Sequence, residues 1–317
     1  MKKARLLLII LLAFVLRLYR INAPLADWHS WRQADTSAVS RNFIKRGFDL
    51  LHPRFDDLSN VPSGLENPEG YRFVEFPFYN ALQAFFYRTF PFFGLEVWGR
   101  LISIFFSLGS LIFLYLIVKK YLGERVALLS AFFFAILPFN IYYSRVTLPE
   151  PMMLMTSLGM VYFFDKWINQ ASSILLAVIF AALSFLLKPF TLVFLLPIAY
   201  LGWRRWQFNK LKWFFLFLCF FVSLLPPAWW RWWMNHFPEG IPVYEWLFNE
   251  AGIRFKGAFF YWIFAERIGK LILGYWGLIL LGLGLAIKPN KKEGWFFYWA
   301  DCYFSLLHYY SWGECSS

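Results

Sequence analysis

Charged residues are scarce in this chain, and their scarcity excludes most soluble folds. Of its 317 residues, 16% are charged, 60% are hydrophobic and 23% are aromatic. A soluble domain has about a quarter of its residues charged and about half apolar. The apolar residues gather in runs long enough to cross a bilayer, so the composition predicts an all-α membrane protein with several spans.

Cysteine is rare too, and the common motifs for nucleotides and zinc are missing. The three cysteines, Cys219, Cys302 and Cys315, have neither paired nor metal-like spacing, which argues against a disulfide framework and a zinc site. The sequence contains no Walker motif, no GxGxxG and no HExxH. Nucleotide binding and metalloprotease chemistry are therefore not indicated.

Basic residues are the abundant polar class. They give a formal net charge of +12, which in a soluble protein suggests a nucleic-acid partner. Here they collect at the ends of apolar runs, where the positive-inside rule places them. We therefore expect the partner to be a membrane and not a nucleic acid.

Eight apolar runs predict about eight transmembrane spans within a domain covering residues 1–298. The first run follows Lys2, Lys3 and Arg5 and lacks a small-residue cleavage site, which indicates an uncleaved span with a cytoplasmic N-terminus. The other runs lie near Leu101–Val118, Val126–Tyr143, Met152–Phe164, Ser172–Leu187, Leu192–Trp203, Phe214–Pro227 and Leu271–Ile287. Alternation puts the densest basic groups, at 119–120, 204–212 and 288–292, on the side of the N-terminus, so the first loop is predicted to lie outside.

The first outer loop carries an acid close to the membrane, Asp35 in "WHSWRQADT". Asp35 or Thr36 is a candidate N-cap of the helix-like run "DTSAVSRNFIKRG". Val39, Phe43 and Phe48 form an apolar stripe, which predicts a helix lying along the membrane interface. A helix cap and a catalytic base are the two interpretations of Asp35, and the pattern leaves both open.

The neighbours of Asp35 suit a carboxylate that must stay ionised beside a bilayer. Desolvation disfavours the charged form of such a group. Arg32 and Arg41 are the cations expected to offset that cost, and Trp28 and Trp31 are expected to hold the loop at the interface.

Four further charged residues are predicted to face the same side. Glu75 precedes an aromatic amphipathic run, Arg145 and Glu150 lie in "SRVTLPEP", and Lys188 ends the fifth span beside Pro189. Each alone fits a surface carboxylate or a cation that extends to the membrane edge. Together they suit an anionic lipid head group with a carboxylate available as base.

In this order, the segments resemble the GT-C superfamily of lipid-linked sugar transferases. The nearest resemblance is to the bacterial relatives of protein O-mannosyltransferases (glycosyltransferase family 39) and to the aminoarabinose–lipid A transferases. "HSWRQADTSAVSRNFIKRG" is similar to the family's first-loop signature and "VEFPFYN" to its Glu-containing segment. "ILPFNIYYSRVTLPEPMMLM" resembles the connection between the third and fourth spans, and "LLKPF" resembles the fifth-span exit. The resemblance covers residues 1–225.

The resemblance implies a GT-C-type helical bundle with a long outer first loop that carries juxtamembrane helices. It implies an inverting glycosyltransferase, hexosyl or pentosyl, that uses a polyprenyl-phosphate-sugar donor. The acceptor would be a lipid, a glycan or a protein at the outer face, and the location a bacterial inner membrane. We expect no cofactor besides the donor, while the sugar, the acceptor and any metal requirement stay open.

The resemblance also implies roles for single residues. The first-loop Asp corresponds to Asp35, the general base that deprotonates the acceptor. Arg145 and Lys188 are the candidates that neutralise the donor phosphate. The substrate-orienting candidates are Glu75, Glu150, His29 and Arg32, with simple loop packing as the alternative for His29. The relatives that modify lipid A have a Lys after the Glu, and here Phe76 stands in its place, so a phosphate contact comes from elsewhere or the donor differs.

The segment 299–317 departs from the family pattern with a polar stretch, "WADCYFSLLHYYSWGECSS". Degenerate back-translation, read one base forward, permits an apolar ninth span there. We therefore expect a shifted reading frame near Trp299 and a truncated product without activity.

A transporter or flippase of lipid-linked sugars is the leading alternative, ahead of a structural membrane subunit. A transporter predicts paired half-helices, broken by Gly or Pro, at the bilayer midplane. The sequence shows no such symmetric pair, because Pro138 and Pro197 lie nearer the span ends.

Overall fold

A computed structural model describes residues 2–25, 27, 29–243, 252 and 255–286. The tail from 299 onward, with its predicted frameshift, and Trp28 lie outside these residues. The described part contains helices and one isolated bridge, Arg54–Tyr71, but no β-strand. The all-α helical fold is confirmed.

Twelve α-helices succeed one another within the described ranges. They are α1 (Lys2–Arg17), α2 (Ser30–Arg46), α3 (Phe78–Thr89), α4 (Leu95–Leu122), α5 (Glu124–Ile136), α6 (Pro138–Tyr143), α7 (Glu150–Gln170), α8 (Ile174–Leu187), α9 (Leu195–Trp206), α10 (Lys210–Met234), α11 (Gly257–Tyr261) and α12 (Trp276–Ala286). A 3₁₀-helix, Pro189–Phe194, leads into α9, another spans Pro238–Gly240, and α11 continues as a π-helix, Trp262–Ile272.

The centre of the bundle consists of α4, α7 and α8, with α5 and α10 packed outside them. Small residues let these helices approach closely. A Cβ at Gly159 on α7 would lie 2.2 Å from Cδ1 of Phe180 on α8. The core between α7, α8, α9 and α10 is apolar and includes Phe164, Phe185 and Ile198.

Length and hydropathy identify fewer spans than the eight predicted. Within the described residues, α4 (mean hydropathy 2.5) and α10 (1.8) are long and apolar enough to cross a membrane. Gly257–Ile272 and Trp276–Gly284 pass the same test together, but the pair is bent by 111°. The polytopic membrane character is thus clear, while the count of eight stays a prediction.

Two predicted spans are broken in the structure. The third, Val126–Tyr143, divides into α5 and α6 at Leu137, because Pro138 disfavours the helical conformation of the residue before it. The eighth, Leu271–Ile287, is interrupted by a sharp bend, because Gly274 and Tyr275 have φ values of 62° and 57°. Helix α12 begins after this bend. Ile287 lies outside the described residues.

The two ends of the bundle differ in their polar contacts. At the end formed by the start of α7 and the end of α8, here called the site end, several ionisable side chains meet. At the opposite end, buried Asp165 accepts hydrogen bonds from Tyr121, Lys120 and, at 2.8 Å, Asn169. This network joins α4 to α7.

Three buried arginines fasten the chain at the site end. Arg17 donates to Oγ of Ser144 at 2.6 Å and to the carbonyl oxygen of Ala135 at 3.1 Å. Arg100 donates to the carbonyl oxygen of Ile21 at 2.7 Å and to other carbonyls of the same loop. The guanidinium of Arg17 thereby satisfies carbonyls that α5 leaves unpaired at its C-terminal end, and that of Arg100 satisfies carbonyls of the loop after α1. Arg145, the third, donates to the carbonyl oxygen of Tyr19 at 2.9 Å.

Candidate active site

The helix that carries Asp35 begins earlier than the sequence predicts. Helix α2 starts at Ser30, after His29 in the left-handed conformation with φ 61°, so the prediction of Asp35 or Thr36 as N-cap is wrong. The extra turn has tertiary partners: Gln33 donates to Oδ1 of Asp27 at 2.7 Å, and its Oε1 accepts from the backbone N–H of Thr147 at 3.1 Å. Asp35 therefore projects from inside a helix.

Helix α2 is packed on α3 and on the loop that follows it. The predicted stripe is confirmed for Val39 and Phe43, which are buried, and Phe48 stacks on Phe43 at 6.0 Å between ring centroids. The polar face is also engaged, because Oγ of Ser40 donates to Gln83 at 2.7 Å. The loop and α3 cover much of the helix that the sequence analysis placed along the interface.

Four of the predicted site residues meet at the site end and form the ion cluster: Arg32, Glu75, Glu150 and Lys188. Nη2 of Arg32 lies 3.3 Å from Oε2 of Glu75 and 3.9 Å from Oε1 of Glu150. Nζ of Lys188 lies 3.6 Å from Oε2 of Glu75 and 3.8 Å from Oε1 of Glu150. Each cation thus touches both carboxylates. The cluster joins α2, the segment before α3, the first residue of α7 and the residue after α8.

Glu150 is the most weakly held member of the cluster. It lies at the site end, before the apolar part of α7, and its Oε2 is buried without a hydrogen-bond partner among the described residues. Burial raises the pKa of its carboxyl, the charge of Glu75 adds to that rise, and Lys188 and Arg32 oppose it. The pKa of this carboxyl therefore depends on its contacts with Lys188 and Arg32.

Asp35 stands beside the ion cluster and has a cationic partner that the sequence analysis missed. Oδ2 of Asp35 lies 2.9 Å from Nη2 of Arg72. The Arg72 guanidinium lies over the ring of Phe55, 4.9 Å from its centroid, and its backbone N–H donates to Pro53. Arg41, from which the sequence analysis expected support for Asp35, pairs instead with Asp56. The one signal for Arg72 in the sequence is its position three residues before Glu75.

A pocket connects Asp35 to the ion cluster. Its lining combines charged, amide and hydroxyl groups with small apolar side chains: Arg32, Asp35, Thr36, Val39, Pro53, Arg72, Val74, Glu75, Pro77 and Asn80. Asn80, also missed by the sequence analysis, donates to the carbonyl oxygen of Thr36 at 2.6 Å. The pocket therefore presents the carboxylates of Asp35 and Glu75 and the guanidinium groups of Arg32 and Arg72 to one volume.

Arg145 and His29 lie apart from the ion cluster. Arg145 is placed over the rings of Tyr142 and Tyr19, at 5.5 and 5.8 Å, and pairs with none of the cluster carboxylates in the described residues. His29 lies 5.8 Å from Tyr143, between ring centroids, and does not line the pocket. The loop between α6 and α7, which carries Arg145, is connected to α2 by the hydrogen bond from Thr147 to Gln33.

The apolar helical bundle is that of a polytopic membrane protein, and the ionisable side chains gathered at one of its ends make that end the candidate functional site. Residues 74–230 match a family model described as dolichyl-phosphate-mannose-protein mannosyltransferase. The match supports the resemblance of this chain to the GT-C superfamily of membrane glycosyltransferases. The matched segment contains Glu75, Arg145, Glu150 and Lys188 but not α2 with Asp35. No curated protein matches the chain.

Proposed function

We propose that the protein is an inverting glycosyltransferase that moves a sugar from a polyprenyl-phosphate donor to a lipid, glycan or protein acceptor. One observation carries the proposal: Arg32, Glu75, Glu150 and Lys188 meet at one end of an apolar bundle, beside Asp35. A polyprenyl chain requires an apolar bundle next to the reacting group, and its phosphate requires cations there. The donor crosses the membrane with its sugar attached, so no nucleotide is needed at the site.

The site faces the outside of a bacterial inner membrane in this proposal. The opposite end of the bundle carries the basic residues Lys119, Lys120, Lys166, Arg204, Arg205, Lys210 and Lys212. The positive-inside rule assigns such an end, and with it the N-terminus, to the cytoplasm.

Asp35 acts as the general base in the proposed reaction. It accepts the proton of an acceptor hydroxyl or amine, whose oxygen or nitrogen attacks the anomeric carbon from the face opposite the phosphate. The bond between the anomeric carbon and the phosphate oxygen breaks, and polyprenyl phosphate leaves with the electron pair. Arg72 keeps the carboxylate of Asp35 oriented through the 2.9 Å ion pair.

Lys188 carries the larger share of phosphate neutralisation, because it belongs to the ion cluster. Polyprenyl phosphate is a good leaving group, so its charge needs stabilisation more than protonation. Arg145 contributes a second positive charge from the α6–α7 loop. Glu75, Glu150 and Arg32 orient the sugar and the acceptor, and His29 supports the loop before α2.

A transfer assay tests the proposal. Membranes containing the full-length protein are supplied with a polyprenyl-phosphate-linked radioactive sugar, and label is followed in lipid, glycan and protein fractions. We expect label in one of these fractions, and its loss in Asp35→Asn. Movement of the labelled lipid across the bilayer without transfer to any fraction, equal in wild type and Asp35→Asn, would instead indicate a flippase.

A further inference from the structure

The ion cluster and its neighbour pair are charge-balanced by side chains alone. Arg32, Arg72 and Lys188 supply three positive charges, and Asp35, Glu75 and Glu150 supply three negative ones within the described site. A singly charged phosphodiester that enters this buried region brings one unbalanced negative charge, which is costly in a low-dielectric environment.

The geometry shows which cation such an anion would recruit. Lys188 has a single ammonium group shared between Glu75 and Glu150 at 3.6 and 3.8 Å, distances too long for hydrogen bonds. Arg32, by contrast, is within hydrogen-bond distance of both oxygens of Glu75, at 3.3 and 3.4 Å. Lys188 can therefore move to contact an anion without breaking a hydrogen bond, whereas Arg32 would lose its hydrogen bonds to Glu75.

Glu150 is the carboxylate that loses most when Lys188 turns away. Its contacts with cations use Oε1 alone, at 3.8 and 3.9 Å, and its Oε2 is buried without a hydrogen-bond partner among the described residues. Glu75 keeps its hydrogen bonds to Arg32. The site thus contains one loosely paired carboxylate directly beside Lys188, with one buried oxygen and a side chain that is 26% exposed.

We propose that binding of a phosphodiester anion at Lys188 is coupled to the uptake of one proton by Glu150. The proton comes from solvent and adds to a carboxylate oxygen of Glu150, so the site keeps its charge when the anion enters. That the phosphodiester is the sugar donor rests on the proposed function. The coupling itself requires only the anion.

The surroundings of Glu150 give the direction of the pH dependence. The groups that face it are Arg32 from α2, Glu75 from the segment before α3, Tyr79 from α3 and Lys188 after α8. Burial already raises the pKa of Glu150, and a phosphodiester in place of the Lys188 contact raises it further. Binding is therefore strongest at low pH, weakens by up to about tenfold per pH unit between the pKa of Glu150 in the free protein and its higher pKa in the complex, and levels off above that.

Calorimetric titration of the full-length protein with a farnesyl methyl phosphodiester tests the coupling. This probe stays singly charged across the titration range, and the detergent carries no phosphate. Titrations at one pH in buffers of different ionisation enthalpy give the number of protons taken up. We expect up to one proton per probe bound and a dissociation constant that rises with pH. No proton uptake together with a pH-independent dissociation constant in the wild type would overturn the proposal.

Variants identify the group that takes up the proton. We expect Glu150→Gln to bind the probe without proton uptake and with a dissociation constant nearly independent of pH. Glu69→Gln, which removes an exposed carboxylate paired with Arg54, is the control and should behave as the wild type. Full proton uptake in a folded Glu150→Gln variant would assign the proton to another group and contradict the proposal.

Two further experiments identify the source of the bound phosphodiester and test the coupling independently of the proposed enzymatic function. Competition by the polyprenyl-phosphate sugar, but not by phosphatidylglycerol, supports the donor as the bound phosphodiester, and the reverse result overturns that identification. Proton-coupled binding in a protein that transfers no sugar to any acceptor would refute the proposed function and leave the coupling intact. Sugar transfer with no proton uptake on probe binding would refute the coupling and leave the proposed function intact.

Discussion

At the scale of single residues, Asp35 is the most informative position. Because α2 begins at Ser30, Asp35 does not cap the helix, and its side chain is available for the ion pair with Arg72. The competing interpretation as an N-cap therefore no longer explains why an acid stands there.

We predict that Asp35→Asn lowers sugar transfer by a factor of about 10² to 10⁴, the usual contribution of a general base. The amide keeps the shape of the side chain but cannot accept the proton. Thermal stability should fall only modestly, because Asp35 does not cap the helix and the amide oxygen of Asn can still accept a hydrogen bond from Arg72. Asp56→Asn, at a half-exposed carboxylate paired with Arg41, is the matched control. Transfer at the wild-type rate by Asp35→Asn would remove Asp35 from the mechanism.

Lys188 gives a second prediction at this scale. Lys188→Ala should raise the KM for the donor by an amount equivalent to about 1.5–3 kcal/mol, because a hydrogen bond to a charged group is lost. Arg145→Ala should have a smaller effect, since Arg145 already donates to the Tyr19 carbonyl. Initial rates over a range of donor concentrations measure both. Unchanged KM values in both variants would show that neither residue binds the phosphate.

At the scale of helices, close packing between α7 and α8 positions Glu150 relative to Lys188. Gly159 permits this approach, because Phe180 occupies the space where a Cβ would lie. The same two helices are also joined by a hydrogen bond of 2.7 Å between Ser157 and Ser184.

Gly159→Ala should therefore destabilise the protein by about 1–3 kcal/mol, the usual cost of overpacking a close contact. Gly282→Ala on α12 is the control, since a Cβ there meets nothing within 4 Å. Thermal unfolding in detergent, followed by tryptophan fluorescence, should show a lower Tm for Gly159→Ala alone. Equal Tm values for the two variants would show that α7 and α8 can separate without cost.

The helices were largely predictable from the sequence, whereas the contacts that complete the site were not. Apolar runs and the stripe of Val39 and Phe43 are local patterns, and they predicted most elements. The start of α2 depends on Gln33 and Thr147, which are 114 positions apart, and no local pattern contains that information. The partnership of Arg72 with Asp35 depends on the path of a loop, and the position of Arg145 depends on its hydrogen bond to the carbonyl of Tyr19, 126 positions away.

At the scale of the whole molecule, orientation in the membrane decides whether the site meets an external acceptor. Ser59, in the exposed loop after α2, and Gln170, at the end of α7, are both exposed and mark the two ends of the bundle. Ser37 on α2 is buried and unsuitable for labelling.

In a background without other cysteines, Ser59→Cys should react with a membrane-impermeant maleimide in outer-membrane-permeabilised cells. Gln170→Cys should react only after the inner membrane is opened, because the basic end of the bundle is predicted to be cytoplasmic. Gel shifts before and after lysis report both. The reverse pattern would put the site in the cytoplasm and rule out an external acceptor.

The distribution of the ion cluster along the chain also sets an order of assembly. Arg32 and Glu75 leave the ribosome well before Lys188, which follows α8. During synthesis, Arg32 and Glu75 must wait beside the membrane while α4, α5 and α7 are inserted. The α2 segment can reach its final packing only after Thr147 and Glu150 have arrived. A nascent chain halted before α8 would therefore lack Lys188 and with it the complete ion cluster, so the site end is the last part of this region to mature.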